Sequence, residues 1–149
     1  MKTIEREYAV AMPLDPQNRI LLQNKDSGYV FWPNYWCTFG GGMGAGEEPR
    51  ITLAREVREE NGLVLSDVRL FDSREFEDYS QFGEEITRRG LVHYFEARFD
   101  GDLSKIALRE GGGFKLFEEE ELARYNELGL VVPYNYAVIK DFYDCLRGV

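Results

Sequence analysis

Between Gly40 and Leu63 the chain reads GGGMGAGEEPRITLAREVREENGL, five glycines in seven positions followed directly by a run of helix formers. Pro49 suits the first position of a helix and Gly62 the position just past its end, so the spacing predicts a helix from about Pro49 to Asn61. Glu56, Glu59 and Glu60 then fall at i, i+3 and i+4, neighbours on one face with Cβ atoms about 5–6 Å apart. Leu53, Ala54 and Val57 lie opposite and are expected to pack on a sheet. Carboxylates that close repel unless cations lie between them. A rigid set of three suits a hard divalent ion such as Mg²⁺ or Mn²⁺, which takes oxygen ligands and shares its coordination with substrate phosphates. Arg55 can hold one carboxylate through a bidentate pair. The glycines predict a turn whose backbone approaches a ligand or ion without Cβ hindrance, Gly40 and Gly42 toward substrate, with a carbonyl available to a metal.

The flanks read as strands. Ile4, Tyr8, Val10 and Met12 alternate, the period of a half-buried strand that Pro13 and Asp15-Pro16 are expected to end. Ile20-Leu21-Leu22 follows at hairpin distance, and segments 68–76, 91–99 and 114–117 complete the strand set. In 91–99 the pattern puts Leu91, His93, Phe95, Ala97 and Phe99 on one side. Glu118 to Glu121 open a short helix, where acidic residues suit the positive end of the dipole. Pro133 starts another, with Val138, Ile139, Phe142, Cys145 and Leu146 as its apolar stripe. The fold class is α/β, a mixed and mainly antiparallel sheet under helices.

Bulk properties narrow the function. A chain of 149 residues, 44% of them apolar, predicts a single domain spanning 1–149 with one core. A net charge of -9 gives no footprint for gripping a nucleic-acid polymer or an anionic membrane. No apolar run is long enough to span a bilayer and MKTIEREYAV has no signal-peptide core, so a soluble, cytoplasmic protein is expected. Cys37 and Cys145 show no metal or disulfide spacing.

Gly41, then Glu47, then Arg55-Glu56-Val57-Arg58-Glu59-Glu60-Asn61-Gly62-Leu63 matches the signature G-x5-E-x7-R-E-U-x-E-E-x-G-U, U apolar, at every fixed position. The chain thereby resembles the Nudix hydrolases. A chance match is on the order of one in a billion per window from average residue usage. The resemblance implies a Nudix-type α/β/α sandwich with helices on both faces. It also implies hydrolysis of a nucleoside diphosphate linked to a group X, with Mg²⁺ or Mn²⁺ as cofactor and a small-molecule nucleotide as partner. By the same resemblance Glu56, Glu59, Glu60 and the Gly41 carbonyl bind metal, while Glu47 and Arg55 brace the loop and helix. A further loop carboxylate serves as base or ligand: Glu110 is the choice, Asp100 and Asp102 the runners-up. Many relatives carry a glutamate where this chain has Gly44, so one ligand that some members use is missing.

Several features have plainer readings. Glutamates at this helical spacing alone are usually a solvated face. Gly40 to Ala45 spells GxGxxA, but Pro49 starts the helix later than a dinucleotide-binding turn requires. His93 reads as a packed strand residue and Cys37 as a small buried one. The stretch FWPNYW can stack a nucleobase or serve core or rim packing, and at most one or two of Trp32, Tyr35 and Trp36 are expected to touch a ligand. X is left open, with a lean to an ordinary or modified nucleoside triphosphate over a nucleotide sugar or ADP-ribose. A non-catalytic nucleotide sensor and a diphosphate isomerase on the same fold stand behind the hydrolase, and a homodimer is left open.

Overall fold

The computed structural model describes residues 2–80, 86–106 and 113–148. β1 (Lys2–Leu14) is the spine of the sheet. Pro13 does not end it: proline has no N–H to donate and is tolerated where the ladder asks for none, so the strand runs on to Leu14. The Asp15 carboxylate then accepts from the backbone N–H groups of Gln17 and Arg19, at 3.0 and 2.8 Å, and turns the chain into β2 (Ile20–Asn24). β3 (Trp36–Cys37) pairs β2, and β4 (Phe39–Gly42) pairs β1 antiparallel with Ala9 opposite Gly41.

After α1 (Pro49–Glu60) come two long strands, β5 (Ser66–Tyr79) and β6 (Ile86–Arg98), antiparallel to each other. β6 lies parallel to β1 from Lys2 opposite Ile86 to Leu14 opposite Arg98. β7 (Gly113–Phe117) pairs β2, so the described residues form a mixed sheet in the order β3-β2-β1-β6-β5, with β4 and β7 attached to β1 and β2. α2 (Glu119–Glu127) and α3 (Pro133–Leu146) follow.

Helices cover both faces. On one, Val10, Met12, Val92 and Tyr94 meet Leu122 of α2 and Val138, Ile139 and Phe142 of α3. On the other, Ala9, Ala11, Phe39 and Phe95 meet Leu53 and Val57 of α1. Double coverage explains why β6 does not bury a single alternating set: Val92 and Tyr94 are as buried as Phe95 and Ala97. Two helical stripes also depart from expectation. Ala54 is exposed and Thr52 is fully buried instead, because the Thr52 hydroxyl donates to Glu47 at 2.6 Å. Cys145 and Leu146 are exposed while Tyr143 is buried, its hydroxyl donating to the Asn18 carbonyl at 2.6 Å and fixing the helix on the β1–β2 turn.

Candidate active site

Three of the glycines are not in a turn. Gly40, Gly41 and Gly42 belong to β4, and the turn proper runs from Met43 to Glu48. Their requirement for glycine is steric rather than conformational. A Cβ at Gly41 would stand 2.3 Å from Cγ and Cδ of Glu56, so Glu56 of α1 occupies the space that the missing side chain leaves. A Cβ at Gly40 would meet the Ala9 carbonyl oxygen at 2.0 Å, and one at Gly42 the Arg6 guanidinium at 2.4–2.6 Å.

The turn is tied to α1 by Glu47. Its carboxylate accepts from the Gly44 N–H at 3.1 Å, from Thr52 Oγ1 at 2.6 Å, and from Arg55 through Nη2 at 2.8 Å and Nε at 3.1 Å. The Arg55 guanidinium, then Thr52 and the Gly44 amide, hold the Glu47 carboxyl down to about 2, so it stays ionised. Arg55 is in turn held above the ordinary guanidinium range by Glu47 and Glu56. Its Nη1 donates to Glu56 Oε1 at 2.8 Å and lies 3.6 Å from Glu59 Oε2. One guanidinium therefore fixes the directions of Glu47 and Glu56 and reaches Glu59.

Glu56 and Glu59 share this face; Glu60 turns toward a neighbouring cavity lined also by Gly40 and Gly41. Among the described residues no three His, Cys, Asp or Glu side chains converge on one point, because Arg55 stands between the carboxylates. The donor set still fits a hard divalent cation. All the candidate ligands are oxygens, and Glu56 is seated against the Gly41 backbone in a cradle that a Cβ would fill. Glu110 lies outside the described residues. Asp100 and Asp102 accept hydrogen bonds within their own loop, from the Asp102 N–H and from Ser104.

The cavity beside Glu60 has a volume of about 220 Å³ and gathers residues distant in sequence, among them Tyr8, Lys25, Trp32, Arg88 and Tyr134. Asp78 organises it. Its side chain is fully buried against Arg88, accepting from Trp32 Nε1 at 2.7 Å, Tyr134 OH at 2.8 Å and Arg88 Nη2 at 2.6 Å. Arg88 also lies over the rings of Phe31, Tyr8 and Phe76. Of the three aromatic candidates only Trp32 lines the cavity. Tyr35 backs the Trp32 ring edge-on at 5.0 Å, and Trp36, half-buried, packs on Phe117 at 5.2 Å.

Sequence reasoning missed Lys25, Asp78, Arg88 and Tyr134. The available signal was strand parity: Asp78 shares a face with the buried Phe76, and Arg88 with the buried Val92 and Tyr94, so each puts a charge beside core residues. His93 bonds Ser73 Oγ at 2.7 Å and faces Glu7 at 3.3 Å, as a strand residue packed beside its neighbours. Burial pushes the Cys37 thiol up to about 11, which makes it a poor nucleophile.

A family model described as NUDIX domain matches residues 5–142. The chain is 41% identical over 58 residues to a prenyl-diphosphate phosphatase of Methanosarcina mazei, the match covering 39% of this chain and 34% of that protein. It is 28% identical over 129 residues to an uncharacterised Nudix hydrolase of Listeria innocua, covering 79% of this chain and 66% of that one. The chain thus spans about a third of the first relative's length and about two thirds of the second's. The solved structure of the E. coli dihydroneopterin triphosphate pyrophosphohydrolase has a similar fold, with a TM-score of 0.70 at 18% identity over 93% of this chain and 97% of that one.

Proposed function

The chain belongs to the NUDIX domain family, and from that premise we propose that it is a metal-dependent pyrophosphohydrolase cleaving the diphosphate linkage of a nucleoside diphosphate joined to a group X. The observation that carries this reading is the seat of Glu56: a carboxylate held by Arg55 at 2.8 Å and packed where Gly41 lacks a Cβ. A surface glutamate has no need of such a seat. A carboxylate that must meet a cation and a phosphate in a fixed direction does.

In this reading Glu56, Glu59, Glu60 and the Gly41 carbonyl hold the cation. A bound Mg²⁺ or Mn²⁺ supplies a lowered pKa for water and neutralises charge on the phosphate oxygens. The chain's own residues do the rest. Arg55 keeps Glu47 and Glu56 oriented, the bare backbone of β4 lets the pyrophosphate approach, and a carboxylate among Glu59, Glu60 and Glu110 takes the proton of the attacking water. Trp32 bounds the cavity for X, and the preferred substrates are nucleoside triphosphates.

The test is release of phosphate and pyrophosphate from nucleoside triphosphates, nucleotide sugars, ADP-ribose and a prenyl diphosphate, with Mg²⁺, with Mn²⁺ and with EDTA. Metal-dependent release that Glu59→Gln lowers by about 10²-fold or more supports the hydrolase. Nucleotide binding without release from any of them would replace it with a sensor.

A further inference from the structure

Of the two cations among the described residues that line the cavity beside Glu60, Arg88 is committed to Asp78 and Lys25 is not. Asp78 is saturated by Trp32, Tyr134 and Arg88. Lys25 is not paired in this way: among the described residues its ammonium makes no hydrogen bond or ion pair, and it lies over the face of the Tyr29 ring at 5.2 Å. The groups that face it are Cys37, Arg88 and Asp78, the first a buried neutral thiol and the others already joined to each other. Burial pushes the Lys25 pKa down, the mark of an ammonium that has lost water without gaining a full partner. Holding such a group half-buried works against stability, and a ligand that supplies the missing acceptor removes the deficit.

The walls restrict what that ligand can be. Trp32 is held at φ 54°, in the left-handed region that a bulky residue rarely adopts, while its indole is bonded to Asp78. Tyr134 is bonded to the same carboxylate, so two of the aromatic walls are locked to one buried anchor. At about 220 Å³ the space is below the ~300–1,000 Å³ of sites for drug-sized ligands, so it admits one ring system between aromatic faces rather than a long chain. An ammonium offers donors only. A ring edge with an exocyclic amino group would set N–H against N–H there, and an isoprenoid chain would leave the ammonium buried with nothing to bond.

Resting on the pyrophosphohydrolase reading, the geometry points to a specificity site: the cavity takes the ring of the substrate, and Lys25 selects a planar heterocycle bearing an exocyclic carbonyl oxygen over an aminated ring or an isoprenoid. Its donors meet that oxygen while Trp32 and Tyr134 bound the ring faces.

Inosine and adenosine triphosphates differ at this edge only, a 6-oxo group beside N1–H against a 6-amino group beside an unprotonated N1. The expected result is a kcat/KM for ITP about tenfold or more above that for ATP, the size of one bond to a charged donor. Lys25→Met should bring the two within about threefold, and Lys25→Arg, which keeps donors in the cavity, should retain most of the preference. Equal rates for ITP and ATP in the wild type, an unchanged ratio in Lys25→Met, or faster cleavage of geranyl diphosphate than of ITP overturns the assignment. If nothing in the panel of substrates is cleaved, calorimetric binding of IMP and AMP separates the two ideas. An IMP preference that Lys25→Met abolishes keeps the specificity site while the hydrolase reading falls, and no such preference overturns the site as well.

Discussion

Replacing Gly41 by alanine perturbs the candidate site through a single methyl group. The new Cβ would lie 2.3 Å from Cγ and Cδ of Glu56 and 2.6 Å from its Oε2. Carbon atoms in contact rest about 3.5–4.0 Å apart, so from 2.3 Å the pair must open by roughly 1.2–1.7 Å. The backbone at Gly41 is not left-handed and imposes no conformational cost on alanine, so the yielding partner is the Glu56 side chain. Moving it breaks the 2.8 Å pair with Arg55 and takes the carboxylate out of its seat. A displacement of about 1 Å in a positioned group costs about 10²-fold in rate, which sets the expected loss in kcat for Gly41→Ala. The cost to the fold is that of local overpacking, about 1–3 kcal/mol. Gly40→Ala is the contrasting control, because its Cβ meets the Ala9 carbonyl at 2.0 Å and neither backbone can move without breaking the β1–β4 ladder. Steady-state rates against metal concentration, with thermal unfolding alongside, distinguish the two. Wild-type kcat and metal requirement in a folded Gly41→Ala protein would refute the assignment of Glu56.

The Glu47 clasp predicts an acid-labile contribution. Its carboxyl is held at about 2 against an ordinary 4.5, so the ionised form stabilises the native state above about pH 5 and that contribution is lost as pH falls from 4.5 through 2. The melting temperature of Glu47→Gln should therefore lie below that of the wild type at neutral pH and converge with it in acid. Asp78→Ala should lower stability by about 3–5 kcal/mol in urea titrations, since it leaves the half-buried Arg88 guanidinium, the Trp32 N–H and the Tyr134 hydroxyl without their acceptor. A loss under 1 kcal/mol would mean that Asp78 does not anchor the cavity.

How far the sequence carried depended on sequence separation. The helix, its Pro49 start and Gly62 end, and the common face of Glu56 and Glu59 follow from the helical period, and the Glu47–Arg55 tie spans only eight residues. Such features are set by bonds that a short stretch makes with itself, so composition and spacing determine them. The signature also led to a sheet between helices. The same logic failed at Gly40 to Gly42, where glycine content predicted a turn and pairing with β1 made a strand. It failed at Ala54, displaced from the buried face by Thr52, and at β6, whose two faces are both covered.

The cavity depended on tertiary structure almost entirely. Trp32 reaches Asp78 across 46 residues and Tyr134 reaches it across 56, and the parallel register of β1 with β6 brings Tyr8 opposite Val92 and within reach of Arg88. No local propensity encodes those partners. They meet because strand register and the seating of α3 fix which side chains share one small volume, and only there does Lys25 come to lie among aromatic rings without an ion pair among the described residues. The glutamate signature was thus written in the chain's local periodicity, whereas the surface that would choose X exists only once distant strands have paired.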